Sequence, residues 1–164
     1  MACKLKRDMK KNIFFILFAI MLVSLPACKK NDWLDWKAQN QLWMTNNKSQ
    51  EGVHVTESGL QYKVIADPNP YDARPSHSNI ITCTYTGTLI NGAKFEGGTS
   101  SFAVNSLVAG FAEGIKKIHT NGDIILYIPY ELGYLEEAQG TEGTSSYIPP
   151  YSTLIFNIHL DAVQ

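Results

Sequence analysis

Paired cysteines, clustered histidines and glycine-rich phosphate loops are all missing from this 164-residue sequence. Cys3, Cys28 and Cys83 are too few and too scattered for a disulfide framework. His54, His77, His119 and His159 share no metal-ligand spacing with one another or with a cysteine, so no metal is expected. No dinucleotide fingerprint or Walker-type loop occurs, and no cofactor is expected. Ser100-Ser101 lacks the strand–turn–helix setting of a nucleophile elbow. Cys83 alternates inward along a strand, which reads as a buried, inert thiol. His119 closes a helical stretch, where an imidazolium interacts well with the dipole, and Glu136-Glu137 reads as solvated surface. Charge of one sign is scarce as well. The net charge is −1, and with five basic residues against Asp8 in residues 1–27, the rest of the chain is mildly acidic. No basic stripe survives there, which argues against a nucleic-acid partner.

Long apolar runs are equally scarce, with one exception. Residues 13–25 carry no charge and follow Lys4, Lys6, Arg7, Lys10 and Lys11. A spanning helix requires about 20 apolar residues, so this run reads as the apolar region of an export signal. It closes on Leu25-Pro26-Ala27-Cys28, which resembles the lipobox of bacterial lipoproteins. The resemblance implies a signal peptide at 1–27 and a diacylated Cys28, a membrane partner reached through a lipid anchor. Two or three acyl chains hold a protein firmly to a membrane, as one does not. A free cysteine behind an ordinary secretory signal and an uncleaved anchor are the alternatives. Lys29, rather than Asp, in the next position favours the outer membrane of a bacterial cell envelope. The same pattern points to Met9 as the translation start.

What the sequence does hold is apolar content and aromatic rings. Apolar residues make up 45% and charged residues 18%, enough for one packed domain and a short appendage. Trp33, Trp36, Asn40 and Trp43 recur at helical spacing, predicting an amphipathic helix from about Asp32 to Met44. Three readings stay open for it: packing on its own domain, a dimer contact, or a helix lying on the bilayer. Residues 45–51 read as polar linker. Strand patterns begin past Glu57. Gly59–Ala66 alternates, and Ile81, Cys83 and Tyr85 share a face opposite Thr82, Thr84 and Thr86. Asn91-Gly92 predicts a type I′ turn joining Thr84–Ile90 to Ala93–Glu96. Leu107–Ile118 reads as one helix, stopped at Asn121-Gly122, with Phe111, Ile115 and Ile118 on one face. Asp123–Pro129 and Thr153–Ala162 read as strands flanking a loop at 130–152. The expectation is an α+β fold, an antiparallel sheet of about five strands half-wrapped around one short helix.

The order of these pieces is telling. Thr84-Tyr-Thr-Gly-Thr-Leu89, Asn91-Gly-Ala-Lys-Phe-Glu96, Phe102–Ile115, Ile128-Pro-Tyr-Glu-Leu-Gly-Tyr134 and Ile148-Pro-Pro-Tyr-Ser-Thr-Leu-Ile-Phe156 resemble the FKBP-type peptidyl-prolyl cis/trans isomerases. Ser58–Val64 is similar to the first strand of the bacterial branch. The resemblance covers 57–164, leaving 28–56 as tether and tryptophan-rich helix. It implies isomerisation of X-Pro bonds in proline-containing polypeptides, in aid of exported-protein folding, with macrolide ligands of the family as further occupants. A catalytically weak peptide-binding or chaperone lipoprotein is the alternative. Carried over by motif, Tyr85, Phe95, Phe111 and Phe156 form aromatic walls with Leu107 and Val108 beside them. Tyr134 is implied to donate its hydroxyl to a ligand carbonyl and Ile148 its backbone N–H, with Tyr147 adjacent and Glu96 at the rim. Core packing is the competing reading for Tyr85 and Phe156. Three positions depart from the family pattern: Glu96 replaces Asp, Phe111 replaces Trp, and Leu135 replaces Gly.

Overall fold

The computed structural model describes residues 32–164, so the expected signal segment 1–27 and the expected acylation site Cys28 lie outside the described residues. Helix α1 (Asp32–Asn47) is followed by β1 (His54–Val55), β2 (Gln61–Ala66), β3 (Ile80–Thr88) and β4 (Lys94–Ala103). Then come α2 (Ala109–Gly114), β5 (Asp123–Ile128) and β6 (Leu154–Val163). The six strands form one antiparallel sheet in the order β1-β2-β5-β6-β3-β4. The strand beyond the expected five is the two-residue β1.

Period-two patterning builds this sheet as the sequence predicts. Leu154, Phe156, Ile158 and Leu160 of β6 are buried, and Ile124, Leu126 and Ile128 of β5 join them. Phe111, Ile115 and Ile118 close the core from the helical side. The helix there is shorter than expected: six α-helical residues, extended by 3₁₀ turns at Val104–Ser106 and Ile115–Lys117. Two glycines explain both its brevity and its position. A Cβ on Gly110 would overlap Ile128, and one on Gly114 would overlap Leu126, so α2 lies directly on β5 at a separation only glycine permits.

Three local expectations are corrected. The Asn91-Gly92 turn is not type I′, because Gly92 alone has positive φ (82°) and Asn91 does not. Gly92 N–H donates to Leu89 C=O and Leu89 N–H to Ala93 C=O, the arrangement of a type I turn followed by a bulge. Strand β4 then runs past Glu96 to Ala103, pairing Ile80 with Ala103 at its far end. The Gly97-Gly98-Thr-Ser-Ser stretch hid this extension, since it has weak strand propensity and is mostly exposed. His119, expected to interact with a helix dipole, instead receives the loop after β2. Its ring Nδ1 lies 2.9 Å from an Asp67 oxygen and its backbone N–H donates to the same carboxylate. Burial opposes the Asp67 charge, yet these bonds hold its carboxyl below the usual carboxylate range.

Helix α1 ends one turn later than Met44 and packs against the sheet and the 130–153 loop. Trp36 donates its indole N–H to Ser152 Oγ at 3.0 Å, and Trp43 tilts against Tyr127 at 5.7 Å. Asn40, fully buried, donates to Trp36 C=O and accepts the Thr153 N–H at 2.7 Å. Gln61 on β2 bridges the helix end, accepting from Asn47 and donating to Met44 C=O. Leu34 and Leu42 stay on the outer, exposed face. The loop itself holds two non-glycine residues in the left-handed region, Leu135 (φ 58°) and Tyr151 (φ 61°). The glycine that the resemblance implies at position 135 thereby has a physical reason, for an L side chain there costs about 1–2 kcal/mol.

Two outcomes follow in denaturant unfolding of the full chain. Asn40→Ala orphans the buried Thr153 N–H and is expected to lower stability by about 1–3 kcal/mol. Leu135→Gly trades relieved strain against added unfolded-state entropy, for an expected gain between zero and about 1 kcal/mol. Leu135→Val, β-branched at positive φ, is expected to lose about 1 kcal/mol or more.

Candidate functional site

Between β3, β6, α2 and the 130–153 loop lies a cavity of about 250 Å³ lined by Tyr85, Glu96, Phe102, Ser106, Leu107, Val108, Phe111, Tyr134 and Phe156. Phe156, inward-facing on β6, is its centre. Phe111 meets it edge-on at 5.1 Å, Phe95 at 5.5 Å, and Tyr85 lies tilted at 6.2 Å. Edge-to-face packing of this kind fixes ring orientations beyond what apolar burial alone does. Gly87 makes the Phe95–Phe156 contact possible, since a Cβ there would stand 2.6 Å from the Phe95 ring and 2.9 Å from Phe156.

Seven residues expected at the site come together here: Tyr85, Glu96, Leu107, Val108, Phe111, Tyr134 and Phe156. Three are placed differently. Phe95 is buried behind Phe156 and supports it without lining the cavity. Tyr147 packs against Trp33 of α1, with ring centroids 6.5 Å apart. Ile148 is buried, and its N–H, expected to face a ligand carbonyl, already donates to Gln139 C=O at 2.9 Å in an isolated bridge. The Val108 N–H, by contrast, precedes the first turn of α2 and has no hydrogen-bonded partner among the described residues, as helix geometry dictates. Phe102 and Ser106 were missed as lining residues. Phe102 packs edge-on to Tyr85 at 5.6 Å, and its signal, alternation continuing along β4, was masked by the two glycines before it.

Electrostatically the cavity keeps its donors neutral. Burial, then the nearby Glu96 charge, pushes the pKa of the Tyr134 hydroxyl up, and that of Tyr85 likewise. Burial also raises Glu96 above the ordinary carboxyl value. Cys83, on the buried face of β3, has its thiol pushed up to about 12 by burial first and Asp161 second, so it is no nucleophile at neutral pH. Among the described residues no group of three His, Cys, Asp or Glu side chains could hold a metal. A larger cavity of about 600 Å³ lies beside α1, with Asn40, Lys48, Gln61, Glu131 and Thr153 among its walls, and it lacks the ring cluster. An apolar box with protonated hydroxyls and a free backbone N–H at the start of α2 can grip a compact apolar ring and orient its flanking carbonyls.

Comparison with known proteins agrees with that geometry. Residues 71–161 match the model of FKBP-type peptidyl-prolyl cis-trans isomerase, and residues 26–64 match the domain amino terminal to it. The outer membrane protein MIP of Legionella longbeachae is 34% identical over 133 residues, 78% of this chain and 54% of that protein. The FKBP-type 22 kDa peptidyl-prolyl cis-trans isomerase of Escherichia coli is 34% identical over 139 residues, 82% of this chain and 64% of the relative. This chain thus spans roughly half to two thirds of the length of these relatives. The crystal structure of FkpA from Escherichia coli superposes with a TM-score of 0.73 at 27% identity, covering 100% of this chain and 73% of that one. The ring-lined cavity, the fold around it and these matches together place the chain in the FKBP-type peptidyl-prolyl cis-trans isomerase family.

Proposed function

We propose that this chain catalyses cis/trans isomerisation of X-Pro bonds in proline-containing polypeptides. The observation that carries the reading is the ring cluster itself: Phe111 and Phe156 at 5.1 Å, with Tyr85 and the Tyr134 hydroxyl on the same cavity. Rotation about an amide faces a barrier of about 18–20 kcal/mol from resonance. No bond forms or breaks, so neither nucleophile, base nor metal is required. The twisted amide has lost its charge-separated resonance form and is solvated less strongly than either planar form. An apolar cavity therefore favours it differentially, which is what lowers a barrier. Millisecond turnover requires about 6 kcal/mol, roughly four decades of rate. In this reading the rings hold the pyrrolidine while Tyr134 O–H and Val108 N–H donate to flanking carbonyls. Macrolide ligands of the family would occupy the same cavity.

The proposed setting is the bacterial cell envelope, with the protein anchored by lipid at Cys28, in the outer membrane, and assisting exported chains to fold. The support is the charged, apolar and Leu25-Pro26-Ala27-Cys28 order of the leader, together with a relative named as an outer membrane protein.

Protease-coupled turnover of proline peptides by the full chain tests the enzyme reading. Phe156→Leu is expected to lower kcat/KM at least about tenfold, since it removes the flat wall on which the other rings pack. Tyr134→Phe, the loss of one hydrogen bond, is expected to cost less than about tenfold. Phe111→Trp is expected to keep or raise activity. A folded wild-type chain that binds proline peptides yet shows no rate above background would leave a binding module instead. For the anchor, Cys28→Ala is expected to abolish incorporation of labelled palmitate, and unchanged labelling would refute acylation at this site.

A further inference from the structure

Helix α1 reaches the loop that carries Tyr134 at both of the loop's ends. Its Lys37 ammonium stands 5.2 Å above the Tyr130 ring and 4.5 Å above the Tyr151 ring, and those rings meet edge-on at 5.5 Å. Tyr130 and Tyr151 are 21 positions apart in the chain, and Lys37 faces both. The two segments are then tied through backbone beside the site. Tyr151 N–H donates to Leu135 C=O at 3.1 Å, and Leu135 N–H donates to Tyr130 C=O at 2.9 Å. Leu135 directly follows Tyr134, and both Leu135 and Tyr151 hold positive φ. Non-glycine residues persist in that region only where surrounding contacts over-determine them, and such positions cluster at functional sites. Here the cation over the ring pair is a contact that reaches Tyr130 and Tyr151 from outside the loop.

We propose that Lys37 is a positioning residue for the Tyr134 hydroxyl, acting through the Tyr130–Tyr151 ring pair and the strained Leu135 backbone. The proposal rests on the isomerase reading for its effect on turnover, but its structural half stands apart from it. Glu136 bonds the Tyr151 side chain from within the loop, while Lys37 bonds the Tyr130 side chain and lies over both rings. The cation thereby fixes how the two rings meet, and the two backbone bonds pass that arrangement to the residue next to Tyr134. Trp36 and Asn40, on neighbouring turns of α1, hold the far end of the loop at Ser152 and Thr153, so the helix supplies a fixed base for the cation.

Four full-length chains decide the question: wild type, Lys37→Met, Tyr134→Phe and the double variant, with Lys37→Arg as rescue. Lys37→Met keeps the aliphatic stem and removes the charge, and is expected to lower kcat/KM about three- to fivefold with the melting temperature nearly unchanged. Lys37→Arg, which stacks on rings as a cation does, is expected to restore it. In the Tyr134→Phe background Lys37→Met is expected to cost nothing further, since the hydroxyl it positions is gone. Amide exchange at Leu135 and Tyr151 is expected to quicken in Lys37→Met while β5 and β6 amides stay protected. Wild-type turnover in Lys37→Met, or losses that multiply in the double variant, would overturn the proposal. If the wild type itself shows no turnover, the isomerase reading falls, and the exchange of Leu135 and Tyr151 alone then decides for or against Lys37.

Discussion

The close seating of α2 on β5 is the constraint from which the site takes its shape. Gly110 and Gly114 present bare backbone to Ile128 and Leu126, so helix and sheet approach without an intervening layer of side chains. That separation sets where Phe111 stands, and hence its 5.1 Å contact with Phe156. Any side chain at either glycine would lift the helix and open the ring cluster from its floor. The helix pays for the approach in length, since glycine weakens helices, and it survives as six residues because the sheet beneath supports it.

Chemistry at such a site is governed by what stays neutral. The hydroxyls of Tyr85 and Tyr134 remain donors because burial and the Glu96 charge both oppose their ionisation. Cys83, close by in sequence, is held protonated by its depth. The result is a cavity whose hydroxyls stay protonated and able to donate hydrogen bonds.

The alternation along β6 and β5 and the apolar face of α2 were readable because each follows a period tied directly to burial. The ring set Tyr85, Phe111, Tyr134 and Phe156 was readable through motif resemblance, and the cavity gathers all four. Other features were hidden for identifiable reasons. The far half of β4 is held by pairing with β3, a long-range partner that overrides the weak strand preference of Gly97-Gly98. The turn at Asn91-Gly92 left its dipeptide signal correct and its type wrong, because the bulge form also places glycine at positive φ. The engagement of the Ile148 N–H depends on Gln139, nine residues away in a loop with no periodicity to read. The contacts of α1 were invisible for the same reason: Asn40 looks like one more polar helix residue until Thr153 is placed beside it.

Strand order carries a consequence for how the molecule comes into being. β6 is the last strand in the chain, yet it lies in the middle of the sheet, between β5 and β3. Until it is delivered, the earlier strands can form only two detached pieces, β1-β2-β5 and β3-β4, each with an open edge where β6 belongs. Phe156, the hub of the ring cluster, arrives on the same strand. A chain emerging amino end first therefore has no complete site before its last strand: α1 emerges early, but its Asn40 waits 113 residues for the Thr153 N–H it accepts. Assembly thus depends on late, distant contacts, the kind that slow folding, and the sheet edges stay open until β6 arrives.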